Sequence, residues 1–157
     1  MSPFGGGVCE SYVKGLFLLR CVSRSWRDLI DDTPSFWVVL TSTVSCHFNQ
    51  TTITRSGDTP LIVHVGRPPI PVIATSSDLD AGRASLERFA EFVGPTRDRW
   101  KVVWVEEIPP PTVWACLNSP APMLQTIRLQ IASEGMPATF DLLGGETHHI
   151  RRLYLNQ

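Results

Sequence analysis

The stretch WKVVWV at residues 100–105 has the same spacing of apolar residues as LQTIRL at 124–129 and IRRLYL at 150–155. Each segment is apolar at its first, fourth and sixth positions, and the three starts lie 24 and 26 residues apart. Segments 112–117 and 139–143, between these strands, are bracketed by proline or glycine and have the length of short helices. Strand, loop, short helix and loop at a regular period are typical of a solenoid, in which each unit packs against its neighbours.

This spacing predicts a fold class between α+β and α/β, with parallel strands. A period of roughly 20–29 residues with an LxxLxL strand is the pattern of leucine-rich repeats, so we expect a partial leucine-rich-repeat solenoid over residues 38–157. The sequence LIVHV at 61–65 predicts a further strand. Because LxxLxL is a permissive pattern, three ordinary strands of an α/β domain are the alternative.

The residues between the apolar positions predict a binding surface. In an LxxLxL strand the apolar side chains face the solenoid core, and the intervening ones face the concave side. Trp104, Arg128 and Tyr154 then occupy equivalent positions on strands about 4.8 Å apart, where the arginine can stack between two aromatic rings. These residue types are enriched at interface hot spots, so we expect the three to bind a substrate protein. The alternative is that Trp104 is buried under the preceding helix, against Phe89.

The N-terminal part of the chain predicts one amphipathic helix over residues 12–32. Its apolar residues recur at spacings of three and four: Leu16, Leu19, Val22, Trp26 and Leu29. Pro34 ends the helix, and 36–40 has the composition of a buried strand. Trp26 and Leu29 are expected to pack against Phe36 or Trp37. Three further expectations concern the rest of the chain: a disordered terminus at 1–11, a loop at 66–77 and a second amphipathic helix at 79–93.

The stretch LLRCVSRSWRDLI at 18–30 resembles an F-box. The family pattern V-C-[KR]-x-W stands here as VSRSW at 22–26, and TPSFW at 33–37 is similar to the ending that follows it in the family. The segment RSGDTPL at 55–61 resembles one that follows the F-box in a large group of fungal F-box proteins, in which irregular leucine-rich repeats come next. In layout the chain is similar to that group over about residues 16–157.

The resemblance implies a non-catalytic substrate-receptor subunit of an SCF-type ubiquitin ligase, located in the cytoplasm or the nucleus. Its partial F-box segment, 12–37, would bind a Skp-type adaptor and through it the cullin complex, and the repeats would bind an unknown substrate protein. The implied adaptor contacts are Leu19, Val22, Arg24 and Trp26. The family's apolar-Pro-x-Glu motif has no counterpart in 1–12, and no capping repeat follows the last strand. We therefore expect a chain truncated at both ends that binds the adaptor weakly.

Composition and charge argue against several other functions. The 157 residues include 14 Lys and Arg and 15 Asp and Glu, a balance that does not favour nucleic-acid binding, and no apolar stretch approaches the length of a membrane span. The four cysteines and four histidines are scattered without metal-ligand spacing or a nucleophile motif. We therefore expect no metal, no cofactor and no catalytic residue. A small soluble α/β enzyme of unknown reaction is the alternative function.

Overall fold

The computed structural model describes residues 7–66, 75–106, 111–130 and 150–156. Within these ranges there are five α-helices: α1 Gly7–Val22, α2 Arg24–Asp31, α3 Cys46–Ser56, α4 Ser76–Val93 and α5 Pro111–Leu117. The same ranges contain five strands: β1 Val39–Thr41, β2 Leu61–Val65, β3 Trp100–Val105, β4 Thr126–Gln130 and β5 Arg152–Asn156. Two 3-10 helices, Pro34–Phe36 and Gly94–Arg99, precede β1 and β3.

The five strands form one parallel sheet in the order β1-β2-β3-β4-β5. The first four strands are joined through α3, α4 and α5 in turn, because parallel neighbours need a crossover connection. The register pairs Val103 with Ile127, and Arg128 with both Trp104 and Tyr154. The prediction of parallel strands side by side in chain order is confirmed, and the architecture is consistent with the α/β class.

The two faces of the sheet carry separate hydrophobic cores. On one face α4 and α5 cover alternate strand residues: Leu61, Val63, Val65, Val103, Val105, Ile127 and Leu129. On the opposite face α1 contributes Val13 and Leu16 to a smaller core that includes Trp37, Phe48 and Trp104. That smaller core reaches only as far as β3. The side chains of β4 and β5 described on this face are half-buried or exposed: Thr126, Arg128, Arg152 and Tyr154.

The N-terminal helix begins earlier than predicted and is not continuous. α1 starts at Gly7, so residues 7–11 are helical rather than disordered. Glu10 lies in the first turn, where a negative charge favours the helix dipole, and Cys9 is buried in the same core as Val13. The helix then breaks at Ser23, whose hydroxyl accepts a hydrogen bond from the Trp26 N–H at 3.2 Å and caps α2.

The expected packing of Trp26 and Leu29 against Phe36 or Trp37 is wrong, because both side chains are exposed. The break at Ser23 interrupts the predicted apolar stripe. On α2 the buried residue is Ile30, whose carbonyl accepts a hydrogen bond from Trp37 Nε1 at 2.7 Å. This hydrogen bond ties the end of α2 to the segment before β1.

The polar segment 41–55, for which the sequence predicts no helix, contains most of α3. Thr and Ser are weak helix formers, so tertiary contacts decide its conformation. Ser45 caps the helix by accepting a hydrogen bond from the Phe48 N–H at 3.3 Å. Asn49 replaces a neighbouring strand at the β1 edge: its Oδ1 accepts from the Thr41 N–H at 3.1 Å and its Nδ2 donates to the Thr41 carbonyl at 3.0 Å.

The remaining boundaries differ little from the predictions. The strand expected at 36–40 is a 3-10 helix at Pro34–Phe36 followed by β1, and α4 starts at Ser76 rather than 79 because Thr75 and Asp78 form a capping box. Most of the predicted loop at 66–77 and the short helix expected at 139–143 lie outside the described residues. Among the helices described, none combines the length and apolar character needed to cross a membrane.

Candidate interaction surfaces

Seven large apolar side chains of α1 and α2 are exposed, and five of them lie between residues 18 and 29: Leu18, Leu19, Val22, Trp26 and Leu29. Their exposed fractions range from 41% to 71%. Leu18 and Val22 are one turn apart on α1, and Trp26 and Leu29 are three residues apart on α2, so each helix presents an apolar edge. We call these five residues the apolar surface. Groups of exposed apolar side chains are typical of sites that bind another protein.

The helices that carry the apolar surface are held by polar contacts on their other sides. Arg20 of α1 makes an ion pair with Asp31 of α2, with Nε 2.7 Å from Oδ1 and Nη2 3.0 Å from Oδ2. Arg55 of α3 contacts the same Oδ1. The Thr33 hydroxyl donates a hydrogen bond to the Leu29 carbonyl at 2.6 Å, which satisfies the end of α2. α1, α2 and α3 therefore meet at one carboxylate.

The electrostatics at Asp31 favour its charged form. Partial burial opposes ionisation, but the hydrogen bonds and positive charges of Arg20 and Arg55 outweigh it and hold the pKa of Asp31 below its ordinary value. The two guanidinium groups also lie over aromatic rings: Arg20 Cζ is 5.7 Å and Arg55 Cζ 4.8 Å from the centre of the Trp37 ring.

The residues predicted to contact an adaptor all lie on this pair of helices. Leu19, Val22 and Trp26 belong to the apolar surface, and Arg24 is exposed in the first turn of α2. Trp26, which the sequence predicted as a core residue, is available to a partner because Ser23 breaks the helix before it. Their role as adaptor contacts stays a prediction.

A row of side chains crosses the whole sheet at one register position: Thr41, His64, Trp104, Arg128 and Tyr154. Thr41 Oγ1 lies 2.9 Å from His64 Nδ1, and the His64 ring meets the Trp104 ring edge-on at 5.1 Å. Arg128 Cζ then lies 5.0 Å from the centre of the Trp104 ring and 5.2 Å from that of Tyr154. The predicted stacking of arginine between two aromatic rings is therefore present. We call this row the ladder.

The ladder changes from buried to exposed along the sheet. Thr41 and His64 are fully buried, Trp104 is 7% exposed, Arg128 is half-buried and Tyr154 is 40% exposed. Trp104 is on the predicted face but is not open to solvent, because it belongs to the smaller core together with Cys9 and Val13 of α1. Phe89 lies in the other core, so the alternative packing of Trp104 against it is wrong.

A polar cluster follows the C-terminal ends of β1, β2 and β3. His64 Nε2 lies 3.3 Å from Glu106 Oε2, and its Nδ1 contacts the Thr41 hydroxyl. Burial lowers the pKa of His64 and outweighs the opposite effect of the nearby Glu106 carboxylate. Burial and the same carboxylate raise the pKa of the Cys9 thiol to about 11, which leaves it protonated.

The Thr41 hydroxyl contacts the His64 imidazole, which in turn contacts the Glu106 carboxylate. A catalytic triad links its nucleophile, base and acid in the same sequence. The Thr41 hydroxyl is fully buried and also lies 2.9 Å from the Thr43 hydroxyl. A nucleophile must reach a substrate, so in the described conformation this cluster fixes strand ends rather than presenting a reactive group. Gly66 packs directly against the His64 ring, because a Cβ at this position would stand 2.4 Å from His64 Cε1.

The sequence did not predict that Thr41 and His64 belong to the ladder, that Glu106 contacts His64, or that Asp31 joins the three helices. Thr41 and His64 lie in the two strands without the LxxLxL pattern, so only the register of the sheet aligns them with Trp104. Among the described residues, no group of three His, Cys, Asp or Glu side chains could hold a metal ion.

Comparison of the chain with protein-family models, curated proteins and solved structures finds no match.

Proposed function

We propose that this chain is a non-catalytic substrate receptor of an SCF-type ubiquitin ligase, in which α1 and α2 bind a Skp-type adaptor and the ladder face binds a substrate protein. The observation that carries the proposal is the exposure of the F-box-like residues. Leu19, Val22 and Trp26 were selected by their motif positions, and all three are large apolar side chains in solvent. An adaptor would remove them from water.

The architecture supports the second half of the proposal. Parallel strands side by side in chain order, with α4 and α5 packed on one face, are compatible with a leucine-rich-repeat arrangement, in which the opposite face binds the partner. Here that face is open at β4 and β5, where Arg128, Arg152 and Tyr154 are half-buried or exposed. Because Trp104 and Tyr154 flank the guanidinium of Arg128, the partner would meet a pre-ordered group with little further loss of side-chain entropy.

A receptor of this kind acts by proximity, holding a substrate near the loaded ligase, and needs no reactive group of its own. The buried Thr41 hydroxyl is consistent with that role. One form of the small-enzyme alternative would use the Thr41 hydroxyl as its nucleophile. It would be favoured by labelling of the chain at Thr41 with an acylating reagent and by loss of that labelling in Thr41→Val.

Isothermal titration calorimetry of the full chain with a purified Skp-type adaptor tests the proposal. Because the apolar-Pro-x-Glu motif is missing, we expect a dissociation constant that is measurable but weaker than about 1 µM. Val22→Asp places a charge in the apolar surface and should weaken binding at least about tenfold. Leu79→Asp is the matched control, since Leu79 is an exposed leucine on α4, outside that surface.

Three results would contradict the proposal. One is no detectable binding of the wild-type chain to the adaptor. A second is equal affinity of wild type and Val22→Asp, and a third is equal weakening by Val22→Asp and Leu79→Asp. Thermal unfolding of each variant establishes that it is folded, and we expect midpoints within about 3 °C of wild type because both positions are exposed.

A further inference from the structure

A groove of about 460 Å³ lies between α1 and α3 on the side of α1 that carries Val13 and Phe17. Its volume is within the range of about 300–1,000 Å³ that is typical of small-ligand sites. Phe17 and the largely buried Phe48 are among its lining residues, with ring centres 5.1 Å apart and planes inclined at 55°. Val13 and Val44 extend this apolar lining. The groove therefore offers a flat apolar body a place to pack.

Three positively charged side chains line the groove, Lys14, Arg20 and Arg55, and His47 lies beside them. Arg20 and Arg55 meet at Asp31, so both lie at the same end of the groove. These two guanidinium groups share one carboxylate, which leaves a net positive charge at that end. The described residues that line the groove include no Asp or Glu, but Glu10 pairs with Lys14, and Asp31 with Arg20 and Arg55. Three positive charges against two negative ones leave a net positive charge, which favours an anion.

We propose that this groove is a binding site for a small aromatic monoanion. The apolar body would lie on Phe17 and Phe48, and the anionic group would point toward Arg20 and Arg55, whose planar guanidinium groups favour carboxylate-like oxygens. The contacts of Arg20 with Asp31 and with the Phe17 ring, 5.6 Å from Cζ to the ring centre, hold the receiving group in place. This site is separate from the adaptor and substrate surfaces and does not depend on the proposed function.

Thr51 gives a charge-specific test of this site. It lines the groove on α3, one turn before Arg55, and is half-buried. Thr51→Glu would place a carboxylate where the ligand's anionic group is expected, and an i,i+4 pair with Arg55 would compete for the guanidinium. Thr51→Gln has nearly the same shape without the charge. Both residues are better helix formers than threonine, so both variants are expected to fold.

The probe is 8-anilinonaphthalene-1-sulfonate, a fluorescent aromatic monoanion, titrated into the full chain. Its neutral relative N-phenyl-1-naphthylamine is titrated in parallel. We expect Thr51→Glu to weaken binding of the sulfonate at least about tenfold and Thr51→Gln less than about threefold, because only the first adds a like charge. The neutral compound should bind wild type at least about tenfold more weakly than the sulfonate does.

The double variant Leu18→Ala/Val22→Ala separates groove binding from adsorption to the apolar surface, and it should bind the sulfonate as wild type does. The proposal is overturned if this double variant loses the binding, if Thr51→Glu binds as tightly as Thr51→Gln, or if the neutral compound binds as tightly as the sulfonate. Near-ultraviolet circular dichroism of each variant identifies any gain of fluorescence that comes from loosened packing.

Discussion

Replacement of Asp31 by Asn should loosen the junction of α1, α2 and α3, because it removes the one carboxylate that Arg20 and Arg55 share. The substitution keeps the shape of the side chain and removes its charge. Hydrogen bonds to charged groups contribute about 1.5–3 kcal/mol each, whereas exposed ion pairs contribute about 0–1 kcal/mol. The three side chains are 21–29% exposed, so solvent partly screens them. We therefore expect Asp31→Asn to lower the free energy of unfolding by about 2 kcal/mol at pH 7.

The assay is urea unfolding of both proteins between pH 7 and pH 3, monitored by tryptophan fluorescence. Because the pKa of Asp31 is held below its ordinary value of 3.8, its stabilisation is fully present above that pH and is lost as the pH falls through the lower, folded-state value. The gap between wild type and Asp31→Asn should therefore be largest at pH 7 and smaller at pH 3.

Asp28→Asn is the control for this experiment, since Asp28 is an exposed aspartate on the same helix. It should change the free energy of unfolding by less than about 0.5 kcal/mol. The reasoning is refuted if Asp31→Asn is no less stable than Asp28→Asn at pH 7, or if its deficit is the same at pH 3 as at pH 7.

Three further predictions concern the ladder and the cluster beside it. Because burial lowers the pKa of His64, the unfolded chain takes up a proton below about pH 6.5 that the folded chain does not. The thermal midpoint of the wild type should therefore fall between pH 7 and pH 5, and the midpoint of His64→Asn should fall less over the same range. Gly66→Ala should destabilise the fold by about 1–3 kcal/mol in urea unfolding, since its Cβ would overlap the enclosed His64 ring; wild-type stability would contradict the described packing. Trp104→Ala should lower the free energy of unfolding by about 3–5 kcal/mol, and Tyr154→Ala should lower it by less than about 1 kcal/mol. Similar losses in the two variants would contradict the burial of Trp104 and the exposure of Tyr154.

The sheet was largely predictable because its signal is repeated along the chain. The shared spacing in β3, β4 and β5 indicates which residues are equivalent, and the period of the pattern predicts the parallel neighbours that the sheet contains. The position of Arg128 between Trp104 and Tyr154 follows from that equivalence alone. The burial of Trp104 does not, because it depends on where α1 packs, and no local pattern determines that contact.

The N-terminal helices were less predictable because a single residue, Ser23, ends one helix and begins another, so the apolar residues before and after it do not share one helix face. The apolar spacing from Leu16 to Leu29 is continuous in sequence, but the Ser23 hydroxyl caps a new helix and breaks the stripe. α3 was missed for the opposite reason: its buried residues, Asn49 and Thr52 among them, are polar and give no hydrophobic period. In both segments tertiary contacts prevail over local propensity.

The junction at Asp31 and the buried cluster at His64 lie beyond what spacing can indicate. Arg20 and Arg55 are far apart in sequence, and they meet only because α1 and α3 both pack near the end of α2. Likewise, Thr41 and Glu106 reach His64 from different strand ends. A sequence identifies residue types that can form such contacts, but the pairing follows from the fold.

Hydrogen exchange of the full chain, measured with and without a saturating Skp-type adaptor, tests the central proposal most directly. We expect slower amide exchange in residues 18–31, which carry the apolar surface, and unchanged exchange in α4 and in β4 and β5. Protection confined to β4 and β5, or no protection of 18–31 at an adaptor concentration well above the dissociation constant, would contradict the assignment of α1 and α2 as the adaptor-binding surface.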